Sequence, residues 1–182
     1  MATTKLSKVA AMVERGYGQV EPNHLSAQRT GQIYAQLPAA ANIDVLENGQ
    51  FVKYNYAEGV VDLAGEGEWM LVYNEVKLYD ARHTDADFAM VKTDYAARVY
   101  DAAGNDMPEN TTMVPRVFKT NVGDIMTLNT ITDATVAAKA ILTVDSTTGY
   151  LKAGEGEGMQ WQVAKVTTMP DGQKAVKVIR IA

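Results

Sequence analysis

Short apolar segments, repeated about every ten residues with turn-forming residues between them, constrain this fold more than any other feature. The pattern extends from Gln32 to the end of the chain. Strands of this length and spacing are typical of antiparallel barrels and sandwiches, whereas parallel βαβ units need helical segments between their strands. The sequence therefore predicts a mainly β body over residues 32–182, built as an antiparallel barrel or sandwich.

The dipeptide Asn48-Gly49 gives the clearest local prediction. It is a combination that favours the tight turns of β-hairpins. Residues 43–46 lead into it, and residues 51–56 follow with the alternation of a half-buried strand. We therefore expect a hairpin over these two segments.

A second hairpin is predicted at the end of the sequence. Residues 160–166 and 175–181 both have strand character, and Pro170-Asp-Gly172 lies between them with the composition of a turn. Further strands are predicted over residues 69–73, 76–79, 114–118 and 124–131.

Three features leave the organisation of the body open. The polar stretch at residues 101–112 is either a surface loop or a seam between two small β subdomains. The sequence Ala-Gly-Glu-Gly-Glu occurs twice, at residues 64–68 and 153–157, either by chance or as matched loops of two similar units. One short helix is expected in this part of the chain, over residues 133–139, with Asp133 as its cap.

Residues 1–31 are predicted to form an N-terminal arm that differs from the body. Small and polar residues dominate it, and apolar residues recur at helical spacing only near its start, before Gly16. We expect one short amphipathic helix followed by an extended segment, and a disordered terminus is the alternative. The residues of the arm that we expect to bind a partner are Leu6, Val9, Met12, Val13 and Tyr17.

Composition argues against several classes of function. The chain has no cysteine, which removes disulfides, thiolate nucleophiles and cysteine-ligated metals. Its net charge of −5 is spread along the sequence and disfavours a nucleic-acid surface. No apolar run approaches the roughly 18 residues of a membrane span, and the start lacks the apolar core of a secretory signal. We therefore expect no membrane and no nucleic-acid partner.

Catalytic residues are not expected either. His83 lies among Asp80, Asp85 and Asp87, but their spacing matches no compact metal-ligand motif and fits a solvated turn. The second histidine, His24, lies in the arm, where nothing fixes its geometry. Phosphate-binding glycine loops are absent as well. We predict no enzyme, no cofactor and no metal.

Two further groups of residues have a weaker functional interpretation. The carboxylates of the repeated pentapeptide would form a cation site only if the two loops converged, and exposed glycine turns with carboxylates are common. Aromatic residues would form a contact face for a protein or a sugar, although aromatic side chains in strands more often pack in the core. The residues concerned are Glu66, Glu68, Glu155, Glu157, Trp69, Trp161 and the tyrosines of the body.

Four segments of the chain together resemble a known class of protein. They are the polar arm over residues 1–31, the hairpin at 47–51, the strand entry at 117–125 and the closing hairpin at 169–175. With them the chain resembles small structural proteins of tailed phages, especially capsid decoration or head-stabilising proteins. The resemblance implies a homo-oligomer in the virion that is made in the host cytoplasm, binds the major capsid protein and neighbouring copies of itself, and stabilises the head. The alternatives are a tail-tube, connector or fibre-base subunit, and a carbohydrate- or protein-binding β module.

Overall fold

The computed structural model describes residues 20–24, 33–34, 37–74, 89–91, 103, 113–133, 135–169 and 172–182. Within these ranges the chain forms thirteen strands and no helix. The strands are β1 (Val20–His24), β2 (Ile33–Tyr34), β3 (Val45–Glu47), β4 (Phe51–Asn55), β5 (Val60–Asp62), β6 (Glu66–Val72), β7 (Ala89–Val91), β8 (Val117–Phe118), β9 (Ile125–Leu128), β10 (Ile141–Val144), β11 (Leu151–Ala153), β12 (Gln160–Thr168) and β13 (Lys174–Arg180).

The strands form two larger antiparallel sheets, one of which is a half-barrel, and a small third sheet. The first sheet has six strands in the order β1-β9-β13-β12-β10-β11, and the second has five in the order β2-β8-β6-β4-β5. β3 and β7 pair with each other. The prediction of a mainly β, antiparallel body is therefore confirmed.

The terminal hairpin is confirmed in its predicted place. β12 and β13 pair antiparallel from Trp161 opposite Arg180 to Thr168 opposite Lys174, with one irregularity after Val163. Alternation explains much of the pairing, because it puts Trp161 and Val163 of β12 and Val176 and Val178 of β13 into the same buried cluster. β13 also pairs with β9, so the hairpin forms the middle of the six-stranded sheet.

Buried side chains of the described residues form two clusters. The first lies where the two larger sheets meet, and the ring centroids of Phe51 in β4 and Trp161 in β12 are 5.8 Å apart there. The first cluster contains Val20, Phe51, Leu71, Phe118, Met126, Leu128, Leu142, Leu151, Met159, Trp161, Val163, Val176 and Val178. The second contains Ala39, Ala40, Ile43, Leu46, Val52, Tyr54, Val61, Met70, Val72, Met90, Met113 and Val117.

The five-stranded sheet is buried on both faces. Phe51 belongs to the first cluster and the next residue, Val52, to the second. Leu71 and Val72 in β6 divide in the same way. Successive side chains of a strand point to opposite faces, so this sheet lies between the two clusters.

The turn at residues 47–50 forms as predicted, but its flanking strands do not pair with each other. The amide of Gln50 donates to the carbonyl oxygen of Glu47 at 3.1 Å and closes the turn. The amide of Phe51 then donates to the carbonyl oxygen of Gly149 at 2.7 Å, so the chain leaves the turn bonded to a distant segment. β3 pairs with β7 instead of β4, and the predicted hairpin is wrong.

The short helix predicted over residues 133–139 is also wrong, because this segment forms turns. The Asp133 carboxylate accepts hydrogen bonds from the amide and the hydroxyl of Thr135, at 2.8 and 2.7 Å. These bonds, that of the hydroxyl most of all, lower the pKa of Asp133. Lys139 has a φ of 70° and its amide donates to the carbonyl oxygen of Val163, so the chain runs beside β12 instead of winding.

Other predictions are met only in part or lie outside the described residues. Strand structure within 114–118 and 124–131 is limited to β8 and β9. The strand predicted over 76–79 and the helix of the arm are outside the described part, as is the stretch 101–112 apart from Ala103. No helix that could span a membrane is found among the residues described.

Candidate functional site

A pocket of about 490 Å³ opens between the two larger sheets, on the side where both Ala-Gly-Glu-Gly-Glu segments lie. The first segment contributes Gly67 and Glu68 to its wall. The second contributes its last residue, Glu157, and Gly158 and Met159 follow directly after it. Residues far apart in the sequence therefore line one depression. The pocket wall also contains Lys53, Trp69, Thr143, Val144, Arg180 and Ala182.

Close packing of the backbone positions the first loop. A side chain at Gly65 would put its Cβ 2.5 Å from the carbonyl oxygen of Tyr54. The close approach of the two backbones therefore requires glycine at this position. The register between β4 and β6 shifts at the same place, where Tyr54 lies opposite Glu66. Beyond the shift, Gly67, Glu68 and Trp69 of β6 line the pocket.

Arg180 lines the pocket and connects the two larger sheets. Its guanidinium donates to the carbonyl oxygen of Thr120 and, at 3.0 Å, to the hydroxyl of that residue, and it pairs with the carboxylate of Glu68. Its Nε donates to the carbonyl oxygen of Ala182 at 2.9 Å. Thr120 follows β8 and Glu68 lies in β6, both in the five-stranded sheet, whereas Arg180 ends β13. One side chain therefore bonds across the junction of the sheets.

Trp69 forms the aromatic part of the wall. Its side chain is half-buried and packs against the first cluster, which holds the ring in place. The ammonium of Lys53 lies over the ring, 4.7 Å from its centroid, as a cation–π contact. The pocket thus combines an anchored indole with charged groups of both signs.

The structure does not assemble the cation site that convergence of the two loops would require. No group of three or more histidine or acidic side chains suited to a metal is found within the described ranges. Glu68 is paired with Arg180, and the guanidinium offsets the negative charge of the carboxylate. Glu66 and Glu155 do not line the pocket, so convergence brings only Glu68 and Glu157 to its wall.

The predicted aromatic contact face divides between core and surface. Trp161 is fully buried and Tyr54 nearly so, which places both in the core. Tyr56 is 69% exposed, and its ring packs edge-on against that of Tyr54. Of the two tryptophans, only Trp69 lines the pocket and is partly exposed.

The outer strands of the two larger sheets differ in how they are covered. On the outer side of β5, Ala39 bridges to Val61, and on the outer side of β11, Ile131 bridges to Leu151. β1 and β2 carry no such bridge among the described residues. Both belong to residues 20–34, so the end of the predicted arm and the start of the body supply one outer strand to each sheet.

The predicted partner-binding residues Leu6, Val9, Met12, Val13 and Tyr17 lie outside the described part of the chain, and so does His83 with its neighbouring aspartates. His24 ends β1 and lies opposite Ile125 of β9. The pairing of β1 with β9 thus fixes the backbone of His24, contrary to the expectation from the sequence. The assignments that lie outside the described part stay predictions.

Sequence reasoning missed Arg180 as a residue of the candidate site. Within the strand pattern it reads as one more exposed charge at the end of β13, yet its side chain is only 10% exposed. Its partners Thr120 and Glu68 are 60 and 112 positions away in the sequence. Only the repeated pentapeptide, which contains Glu68, gave a signal that this part of the chain is special.

Comparison of the chain with protein-family models, with curated proteins and with solved structures finds no match.

Proposed function

We propose that this chain is a virion structural protein of a tailed phage that binds the assembled capsid and stabilises the head. The proposal rests on the resemblance of its segments to decoration proteins and on one observation of the structure. That observation is the placement of β1 and β2, which form one rim of each larger sheet and carry no outer neighbour within the described residues.

Outer strands that have no paired neighbour among the described residues fit a protein whose role is to hold surfaces together. An outer strand presents a row of backbone donors and acceptors that a strand of another subunit can pair with. Contacts repeated over many identical subunits add through avidity, so each of them can be weak. The partners proposed are the major capsid protein and neighbouring copies of this chain, and the proposed location is the virion.

The arm is the second element of the proposal. Its apolar residues at helical spacing would bind a groove of a capsid subunit and gain order on binding. The structure refines the boundary that an experiment should use. Val20 is buried in the first cluster and β1 pairs with β9, so removal of residues 1–31 would damage the six-stranded sheet. Removal of residues 1–19 leaves β1 in place.

The test uses heads of the encoding phage that are assembled without this protein. Purified full-length chain is added, and the bound copies per head are counted by quantitative gel analysis and cryo-electron microscopy. We expect saturable binding by the full chain and a loss of at least about tenfold in affinity when residues 1–19 are removed, because the anchoring apolar contacts are gone. Unfolding curves check that the shortened protein keeps its body.

Paired substitutions separate the apolar face from the arm as a whole. One variant carries Leu6→Ser, Val9→Ser and Met12→Ser, and its matched control carries Lys8→Ser and Glu14→Ser on the other face of the same predicted helix. Binding should fail in the first and persist in the second. If the full-length chain does not bind heads, the capsid proposal is wrong, and rings or tubes formed by the purified protein alone would indicate a tail component instead. Normal binding without residues 1–19 would refute the role of the arm alone.

A further inference from the structure

The pocket between the two Ala-Gly-Glu-Gly-Glu segments has the dimensions of a small-molecule site. Its volume of about 490 Å³ falls within the range of roughly 300–1,000 Å³ that is usual for ligand pockets. Its walls come from both larger sheets, which hold their relative position through the bonds of Arg180. A site built on strands in this way is largely formed before a ligand arrives.

The charges around the pocket favour a ligand without net charge. Arg180 and Glu68 pair with each other, so their charges offset within the wall. Lys53 and Glu157 also line the pocket, with opposite signs, and neither forms an ion pair with another residue of the described ranges. A ligand of either charge would meet one repulsive partner, whereas hydroxyl groups can accept from the ammonium and donate to the carboxylate.

The aromatic wall favours a ligand that also has an apolar face. Trp69 is anchored in the first cluster on one side and accessible on the other, so its ring can be covered without a rearrangement of the core. An indole surface next to hydrogen-bonding side chains suits an amphipathic ring. Thr143, whose hydroxyl can donate or accept a hydrogen bond, also lines the pocket.

We propose that this pocket binds a neutral saccharide unit, with the apolar face of the sugar ring on Trp69 and its hydroxyl groups bonded to Lys53, Glu157 and Thr143. The ammonium of Lys53 moves from the indole face to a sugar hydroxyl as the ring is covered. The exchange is inexpensive, because a cation–π contact at an accessible site is weak. This binding is a second activity, independent of capsid attachment through the rims and the arm.

The test titrates the full-length protein with glucose, galactose, mannose, N-acetylglucosamine and disaccharides made of them. Binding is followed by amide chemical shifts and by tryptophan emission. We expect at least one of these sugars to shift amides of residues 66–69 and 156–159 and to change the emission of Trp69. Trp69→Ala should weaken binding about tenfold or more, and Glu157→Gln several-fold.

Matched controls lie outside the pocket. Tyr56→Ala removes an exposed aromatic ring, and Glu155→Gln removes a carboxylate from the same loop as Glu157. Both should leave sugar affinity unchanged. Lys53→Met serves as a second pocket variant if Trp69→Ala fails to fold, because it leaves the indole anchored.

Three results would overturn the proposal: no sugar of the panel shifts the pocket amides, binding survives both Trp69→Ala and Lys53→Met, or the shifted amides map away from the pocket. Stronger binding of glucosamine or glucuronic acid than of the neutral sugars would contradict the choice of an uncharged ligand. Head binding is measured separately with the same variants and should not change, so the failure of one proposal is distinguishable from the failure of the other.

Discussion

Gly149→Ala is the substitution that most directly tests how the two larger sheets are joined. Gly149 lies in the turn before β11 with a φ of 71°, and the amide of Phe51 donates to its carbonyl oxygen at 2.7 Å. A Cβ at this position would overlap the carbonyl oxygen of Phe51 and come within 2.9 Å of Cγ of Gln50 and 3.0 Å of Cδ2 of Leu63. The substitution therefore combines a strained backbone with a steric overlap.

Gly59→Ala is the matched control, because it has the strain without the overlap. Its φ is 67°, and an added Cβ would meet no atom within 4 Å. The left-handed conformation costs an alanine roughly 1–2 kcal/mol, partly offset by about 0.4–1 kcal/mol from the reduced freedom of the unfolded chain. We expect Gly59→Ala to destabilise the protein by about 1 kcal/mol.

Gly149→Ala should cost considerably more. Relief of the overlap would move the turn away from Phe51 and break a buried backbone hydrogen bond, which costs about 1–3 kcal/mol. Displacement of Phe51 from its packing against Trp161 adds about 1–3 kcal/mol, as for an overpacked core. With the strain of about 1 kcal/mol, the expected total is about 3–7 kcal/mol, a large fraction of the roughly 5–15 kcal/mol that stabilises a typical domain.

The measurement is urea unfolding followed by the emission of the buried Trp161, with the free energy of unfolding compared at equal slope. If Gly149→Ala costs no more than Gly59→Ala, the turn does not pack on the Phe51 carbonyl and the described junction of the sheets is wrong.

Three further substitutions test other contacts by the same unfolding measurement. Tyr150→Phe removes the hydroxyl that donates to the buried Glu47 carboxylate and should destabilise the protein by about 1–3 kcal/mol; no change would mean that another group satisfies this carboxylate. Arg180→Met keeps most of the length of the side chain but removes its hydrogen bonds to Thr120 and Glu68, so the free energy of unfolding should fall by about 2–3 kcal/mol. An unchanged free energy of unfolding would show that Arg180 does not connect the sheets. Lys165→Glu replaces one of two lysines that lie directly opposite each other, and the new ion pair with Lys177 should stabilise the hairpin by about 0.2–1 kcal/mol. An unchanged free energy of unfolding would show that the two side chains do not interact.

How far the sequence predicts this fold depends on how far apart in the sequence the paired residues are. β12 and β13 are joined by a short turn, so alternation and turn composition suffice to predict their pairing. The turn at residues 47–50 has equally good local signals, yet its hydrogen-bonding groups are taken by distant ones. The side chain of Gln50 donates to Thr148, 98 positions away, and the Thr130 hydroxyl donates to Gly49, 81 positions away. The sequence around the turn does not show that distant residues compete for these hydrogen-bonding groups.

The candidate site follows the same rule. The repeated pentapeptide drew attention to two loops, and the structure brings both to one pocket, but the sequence does not show which carboxylates face it. Trp69 and Trp161 each follow one of these loops, and only the former reaches the pocket wall. Burial separates them, and it depends on which face of each strand meets the other sheet.

The five-stranded sheet explains how a load on the rims would reach the whole body. In β4, β6 and β8, neighbouring residues divide between the two clusters, as Val117 and Phe118 do in β8. Movement of any of these strands therefore disturbs both clusters, which couples their packing. β2 pairs directly with β8, and β1 contributes Val20 to the first cluster. Under the proposed function, a neighbouring subunit that pairs with β2 pulls on a sheet held by buried side chains on both faces, and one that pairs with β1 pulls on the first cluster through Val20. Both attachments suit a shell under internal pressure.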